Sequence, residues 1–421
     1  MVNFAPLAFT TIMGHKKILY LSYDGLTDPL GQSQIIPYLI YLAKEGNTIF
    51  IISAEKRERY LTGKETIENR LKQFDIHWHP IKYTKFPPII STLWDLMRMR
   101  KNAKSLHKHI SFDAIHCRSY ITSLIGLWLK KRFGVKFIFD MRGFWADERV
   151  DGGVWKLSKP IYKTVFQYFK KKELDFLKQA DSIISLTQAG ATEISTHISP
   201  MTDPQKIVVI PCCADLSHFN RENVSPELQK KWIEKLNIPN DSFVLCYLGS
   251  IGTWYLLPEM VHFFKVLKYN FRRDAVFLFI TLEDSSIILH EFSKQSLNPD
   301  DLRITSSSRH DLPSLLSLCH ASVSFIKPTF SKKASSPTKL AELLGMGIPV
   351  FSNANVGDID LYYETIPYLK INKLTESEYK QSWEGFFQRY PFNPQTFVSL
   401  SHLFFSLEVG AKKYVEIYRS L

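Results

Sequence analysis

The stretch Ser331–Asp358, SKKASSPTKLAELLGMGIPVFSNANVGD, reads as a loop, a helix, a glycine turn and a buried strand. Ser336 is suited to cap the helix and Pro337 to its first position, where a missing N–H removes nothing. Leu340, Leu343 and Leu344 recur at helical spacing and give it a buried side, and Gly347 ends it. The helix start, with Thr338 and Lys339 in its first turn, then presents free N–H groups and the positive end of a dipole, a setting suited to phosphate. Lys332 and Lys333 lie just upstream. Glu342, three residues beyond Lys339, shares its face and could accept hydrogen bonds from sugar hydroxyls. A phosphate cradle beside a hydroxyl-reading carboxylate suggests a nucleoside diphosphate. The plainer alternative is an ordinary Ser-Pro helix start with solvated lysines, so the rest of the chain has to decide.

The 421 residues allow two or three domains with large cores. Hydrophobic residues at 45% and charged residues at 22% describe a globular chain, and no apolar run reaches the roughly 18 residues of a membrane span. The N-terminus, MVNFAPLAFTTIMGHKK, lacks the basic start and sustained apolar core of a signal peptide. Five cysteines, at 117, 212, 213, 246 and 319, form no C-x-x-C pair, which favours a reducing, cytoplasmic setting without structural zinc. Adjacent Cys212 and Cys213 read as packing residues at a strand end. The net charge of +12 points to an anionic partner. Nucleic acid is disfavoured, because no zinc finger, bZIP pattern, RNP aromatic signature or basic tail is present.

Short β-rich runs alternate with amphipathic ones. The strands expected in the first half are 17–23, 48–53, 113–117, 136–140, 182–186 and 206–210. In the second they are 244–248, 276–281, 302–305, 321–326 and 348–352. Helical patterns include 33–45, 257–268 and 313–319. Near-continuous apolar strands separated by helices mean parallel sheets covered on both faces, and two such series predict two doubly wound α/β domains with a seam near 195–205. Ligands bind such sheets at the carboxyl ends of strands. That rule selects Asp24–Gln34 with Gly25 and Gly31, then His116 and Arg118, then Asp140, Arg142 and Gly143. In the second half it selects the turn Gly249-Ser250-Ile251-Gly252-Thr253. No G-x-G-x-x-G follows the first strand and no G-x-x-x-x-G-K-[ST] occurs, which disfavours a dehydrogenase and a P-loop nucleotidase.

These residues resemble the GT-B glycosyltransferases, in particular the family-4 group that uses nucleotide-sugar donors. The resemblance runs in order through ILYLSYDGLTDPLGQSQIIPYL, DAIHCRS, FIFDMRGFWADE, ADSIISLT, IVVIPCCADLSHF, VLCYLGSIGTWY and SSPTKLAELLGMGIPVFSN. It implies two Rossmann-like domains facing a central cleft. The acceptor side is expected in 1–203 and the nucleotide-sugar side in 204–390. The segment 391–421, ending SLEVGAKKYVEIYRSL, is expected to supply a helix that crosses back to the first domain. It implies Gly31 near the reacting sugar, and Gly249, Ser250 and Gly252 in close approach to the nucleotide. Lys339, Ser336 and Thr338 at the helix start would hold the phosphates, and Glu342 the ribose. His116, Asp140 and Arg142 are the catalytic candidates.

Three departures stand out. The first of the family's paired glutamates falls on Ala334, leaving Glu342 alone. The usual histidine after strand 136–140 is replaced by Arg142, with Asp140, Asp147 or Glu148 available for part of its role. The Arg/Lys pair after the GS turn is missing, and Lys332 or Lys333 is the candidate replacement. Each residue has a plainer reading. Glu342 could be a solvated helix glutamate, Lys339 a surface lysine and Gly31 a simple turn. Arg142 could pair structurally with Asp140 or Asp147, His116 could be a packed strand-end histidine, and Trp254 and Tyr255 could be core.

The resemblance implies a hexosyl-type transfer to a glycan or lipid-linked acceptor in surface polysaccharide or glycolipid assembly, with retention. No cofactor is called for, because the nucleotide-sugar is a co-substrate. Helix N–H groups and lysine would stabilise the leaving diphosphate without a metal, consistent with the lack of a D-x-D motif in a promising loop. Two basic, aromatic stretches, 82–108 and 154–178, make an anionic membrane surface a further candidate partner. The alternatives are a nucleotide-sugar epimerase of the same plan and a non-catalytic binding subunit.

Overall fold

The structure, a computed structural model, describes residues 15–421. The signal-peptide reading falls largely on residues 1–14, outside the described residues. The strands lie in two parallel sheets. The first holds β1 (Lys17–Ser22), β2 (Thr48–Glu55), β3 (Ile76–Lys82), β4 (Ala114–Arg118), β5 (Lys136–Asp140), β6 (Ser182–Ser185) and β7 (Ile207–Val209). Its order is β3-β2-β1-β4-β5-β6-β7. The second holds β8 (Val244–Leu248), β9 (Val276–Ile280), β10 (Leu302–Thr305), β11 (Ala321–Ser324), β12 (Val350–Asn353) and β13 (Lys370–Ile371), in the order β10-β9-β8-β11-β12-β13. Both orders reverse beside their first strand, and the loops after β1 and β8 therefore open at a topological switch point. Strands such as β8 and β9 are buried along their whole length, as expected for sheets covered on both faces.

By packing, one compact unit runs to Ile138 and takes in Ala411–Leu421, and the other is Phe139–Gly410. The seam read near 195–205 lies inside the second unit. β3 was not expected from the sequence. It carries Pro80, which cannot donate to a ladder, and it is tolerated because β3 is an edge strand. The helix expected over 33–45 is two helices, Pro29–Gln34 and Ile36–Lys44.

In the first unit, β1 leads into a loop held by one carboxylate. Glu55, at the end of β2, accepts hydrogen bonds from the N–H of Leu26 (2.7 Å) and Thr27 (3.2 Å). It also accepts from the hydroxyls of Thr27 (2.6 Å) and Ser53 (2.5 Å). Gly31 follows in the Pro29–Gln34 helix, where a Cβ would stand 2.2 Å from the carbonyl oxygen of Gly25. The C-terminal segment Ala411–Leu421 packs within this unit. Tyr414 meets Tyr38 edge-on at 5.3 Å, and Arg419 reaches Glu45 at 3.2 Å.

In the second unit, the basic stretch 154–178 divides its aromatics. Trp155 and Phe169 pack on Trp145, whereas Tyr168 is exposed. The cysteines are buried free thiols, in keeping with the packing role expected of Cys212 and Cys213.

The glycines of the first unit allow a paired check. Gly31→Ala should lower stability by about 2 kcal/mol or more through backbone collision. Gly63→Ala, inside the Arg57–Lys72 helix with only ordinary contacts around its Cβ, should raise it by about 0.5–1 kcal/mol. Urea titration of the two variants against the parent measures both, and a Gly31→Ala chain as stable as the parent contradicts the packing described.

Candidate functional site

The second unit assembles most of the residues expected to meet a donor. β8 ends at Leu248, and Gly249 turns the chain with φ of +114°, a left-handed conformation suited to glycine. Directly against that turn lies the amine of Lys339. A Cβ on Gly249 would stand 3.0 Å from Nζ. Lys339 is only 9% exposed; its Nζ donates to the Tyr247 hydroxyl at 3.0 Å and lies 3.7 Å from the Tyr255 ring centre. Burial pushes the Lys339 ammonium from its ordinary 10.5 down to about 7, opposed by the charge of Glu342. Burial likewise raises the phenols of Tyr247 and Tyr255, the latter to about 12. An amine, that of Lys339, thus lies directly beneath the GS turn.

Glu342 lies one turn further along the same helix. Burial raises its carboxyl, and Arg309, whose Nη1 is 3.3 Å away, acts in the opposite direction. Arg309 had no signal in the sequence, since nothing in SSSRHD marks it as a partner of residue 342. Ser250 and Gly252 are exposed in the turn, and a Cβ on Gly252 would meet nothing within 4 Å.

The helix start needs a correction. The helix is Thr338–Gly345 with Pro337 as its cap residue, so neither Ser336 nor Pro337 holds the expected position. The Ser336 hydroxyl instead accepts the Cys212 N–H at 3.1 Å, a partner far away in sequence. The segment before it, Phe330–Ala334, is a 3-10 turn rather than a plain loop.

That turn is pinned from several sides. The Ser331 N–H donates to Asp151 at 3.0 Å, and the carbonyl of Lys333 accepts the Thr187 hydroxyl at 2.7 Å. The Gly357 N–H donates to the carbonyl of Lys332 at 2.8 Å. Asp358 closes the stretch by accepting the N–H groups of Gln188 (2.7 Å) and Ala189 (2.9 Å); its burial raises the carboxyl and these bonds oppose the rise. Lys332 is buried, pairs with Glu148 at 2.5 Å and lies 3.8 Å from the Trp254 ring centre. Lys333 is exposed and pairs with Glu193 at 2.8 Å.

Arg142, two residues beyond the end of β5, has φ of +56°. Its Nη1 is 3.9 Å from Asp140, which is fully buried, and its Nη2 donates to the sulfur of Cys212 at 3.2 Å. Through Cys212 and Ser336 it is linked to the segment before the Thr338–Gly345 helix. Asp147 instead pairs with Lys170 at 2.8 Å. His116 and Gly31 belong to the first unit. His116 is buried on β4, with Nδ1 2.8 Å from the Tyr418 hydroxyl and its ring against Tyr20 at 4.5 Å and Tyr414 at 5.5 Å. Among the described residues no group of His, Cys, Asp and Glu side chains has the arrangement of a metal site.

Ala334 is 2% exposed, and a Cβ on Gly190 would stand 2.9 Å from its own Cβ. The position of the family's first glutamate is therefore filled and closed.

The glycosyltransferase family 4 model matches residues 39–218. Residues 39–218 are thus similar to glycosyltransferase family 4. A glycosyltransferase from Rickettsia africae superposes with a TM-score of 0.69 at 16% identity, covering 97% of this chain and 98% of the other. Sucrose-phosphate synthase from Thermosynechococcus elongatus gives 0.69 at 14% identity over 96% and 99%. Anabaena HepE in complex with UDP and glucose gives 0.64 at 14% over 97% and 100%. These likenesses show the GT-B fold along nearly the whole chain. No curated protein matches the sequence.

Placing an acid at position 334 should destabilise the protein. Ala334→Glu puts a charge into a closed position and should cost about 2–4 kcal/mol. A thermal-shift comparison with Ala334→Ser reads the effect, and an unchanged melting temperature for the glutamate variant contradicts the closed position.

Proposed function

We propose that the protein transfers a hexosyl group from a nucleoside-diphosphate sugar to a glycan or lipid-linked acceptor. The reaction would proceed with retention and without a metal or cofactor, at the cytoplasmic side of surface polysaccharide or glycolipid assembly. The observation that carries this is the buried Lys339 amine beneath the Gly249 turn, one helical turn from Glu342. An ammonium held out of water between phenol rings attracts an anion more strongly than an exposed one. The turn offers backbone close to a diphosphate, and Glu342 offers acceptor oxygens for ribose hydroxyls. That HepE has been captured with UDP and with UDP-glucose supports the same ligand class here.

In the transfer, the bond from the sugar's anomeric carbon to the diphosphate oxygen breaks as an acceptor hydroxyl oxygen bonds to that carbon on the same face. The leaving phosphate takes the hydroxyl proton. Lys339 would hold the charge that develops on the diphosphate, the term that such sites use most effectively. Lys332, held by Glu148, is a second cation on the segment before that helix.

Thermal-shift screening with UDP, other nucleoside diphosphates and their sugars tests the donor. A nucleoside diphosphate should raise the melting temperature of the parent, Glu342→Ala should weaken the rise, and Lys339→Met should abolish it. No stabilisation of the parent by any nucleotide overturns the reading. Acceptor-dependent release of nucleotide separates transfer from epimerisation, which would change the donor sugar instead, and from binding alone.

Lys339 also fixes a pH dependence. Its folded value lies near 7 and its unfolded value near 10.5, so between them the unfolded chain holds the extra proton. The burden of burying the ammonium is full below pH 7 and is relieved as pH rises through that window. A bound anion favours the charged amine. Nucleotide binding at pH 8 should therefore take up a proton, and affinity should fall as pH rises from 7 to 9. Calorimetry in buffers of different ionisation enthalpy measures the uptake, which Lys339→Met should remove.

A further inference from the structure

The Ile90–Ile110 helix of the first unit is turned inside out. Its buried face carries Ser91, Asp95, Met99 and Ala103, which are small or polar apart from the one methionine. Its outward face carries Ile90, Leu93, Trp94 and Met97, between 53% and 64% exposed. These positions follow helical spacing, and the same stripe continues through Lys101, Lys104 and Lys108, all exposed. Phe86 and Lys85, exposed just before the helix, extend the apolar and basic surface.

Negative charge has been taken off this surface. Asp95 is the one acid between residues 82 and 108, and it is fully buried. It accepts from the Thr84 N–H at 2.8 Å and the Tyr23 hydroxyl at 3.1 Å, and it pairs with Arg98. Tyr23 directly precedes the loop that Glu55 holds. The outward stripe and that glycine loop are thus joined through one buried carboxylate.

We infer that this stripe docks the protein on an anionic lipid bilayer. Ile90, Leu93, Trp94 and Met97 would enter the headgroup boundary, and Lys85, Lys101, Lys104 and Lys108 would face acidic headgroups. A contiguous apolar patch with an aromatic residue, flanked by lysines and free of acids, has the chemistry of an interfacial helix. The lysines match a negative surface, each adding attraction near it. A bilayer suits the feature better than a folded partner, because its apolar part on this helix is four side chains, whereas a protein interface of ordinary size takes about 20–30 residues a side. The inference rests on this surface alone and stands apart from the donor reading.

Flotation of the full chain with vesicles tests it, using phosphatidylcholine alone or mixed with phosphatidylglycerol, at low and high salt. The parent should float with the mixed vesicles at low salt and lose binding as salt rises. Leu93→Ser with Trp94→Ser should reduce partitioning by about tenfold or more, from the apolar area withdrawn. Lys101→Glu with Lys104→Glu should reduce it by at least about tenfold. Leu61→Ser, at an exposed leucine on the Arg57–Lys72 helix, is the control and should bind like the parent. Melting temperatures matching the parent establish that the stripe variants fold. Three results overturn the inference: no flotation at low salt, equal binding to neutral vesicles, or unchanged binding in both double variants. Light scattering without lipid covers the remaining occupant. A dimer that Leu93→Ser with Trp94→Ser dissolves would assign the stripe to a second copy of the chain instead.

Discussion

An ammonium group kept from water without a carboxylate in direct contact is an unfavourable arrangement, and the second unit is organised around one. Lys339 gives up most of its hydration to lie between the Tyr247 hydroxyl and the Tyr255 ring beneath the Gly249 turn. Glu342, on the same helix, lightens the burden but is itself engaged with Arg309. Such a group binds an incoming anion more strongly than a hydrated lysine does, because the desolvation has already taken place during folding. The neighbouring parts follow from this. The turn must be glycine to let the amine approach, and the two phenols must be aromatic to receive it. The helix must also be held firmly, which the Phe330–Ser336 segment achieves through Asp151, Thr187, Cys212 and Gly357.

Much of the fold was legible because strand and helix periodicity are local. β5, β8 and β10 lie where the apolar runs placed them, and both sheets have the parallel, doubly wound order that alternating strands and helices demand. β3 escaped because Pro80 and two histidines break the alternation, and only its place at a sheet edge makes that harmless. The two-residue β13 is too short to leave any pattern.

The site was legible by residue type and less so by partner. Gly249, Lys339 and Glu342 stood out by their spacing after a strand and at a helix start, and the structure brings Gly249 and Lys339 together. That Lys339 would be buried was not visible, because its contacts with Tyr247, 92 residues away, and with Tyr255 are tertiary. Ser336 misled for a related reason. Ser-Pro before an apolar helix is a strong local signal, but the hydroxyl is taken by the Cys212 N–H from a distant segment, and the helix begins two residues later. Arg309 and Asp358 act through tertiary contacts that leave no mark on neighbouring sequence.

Glu55 carries a consequence for association in the first unit. Four donors from two segments converge on one buried carboxylate, so the backbone after β1 has a single shape before anything touches it. Ordering a loop on contact ordinarily subtracts from affinity and slows productive encounter. Here that loss of freedom belongs to folding, and a molecule arriving at the loop meets a rigid surface rather than one it must first organise.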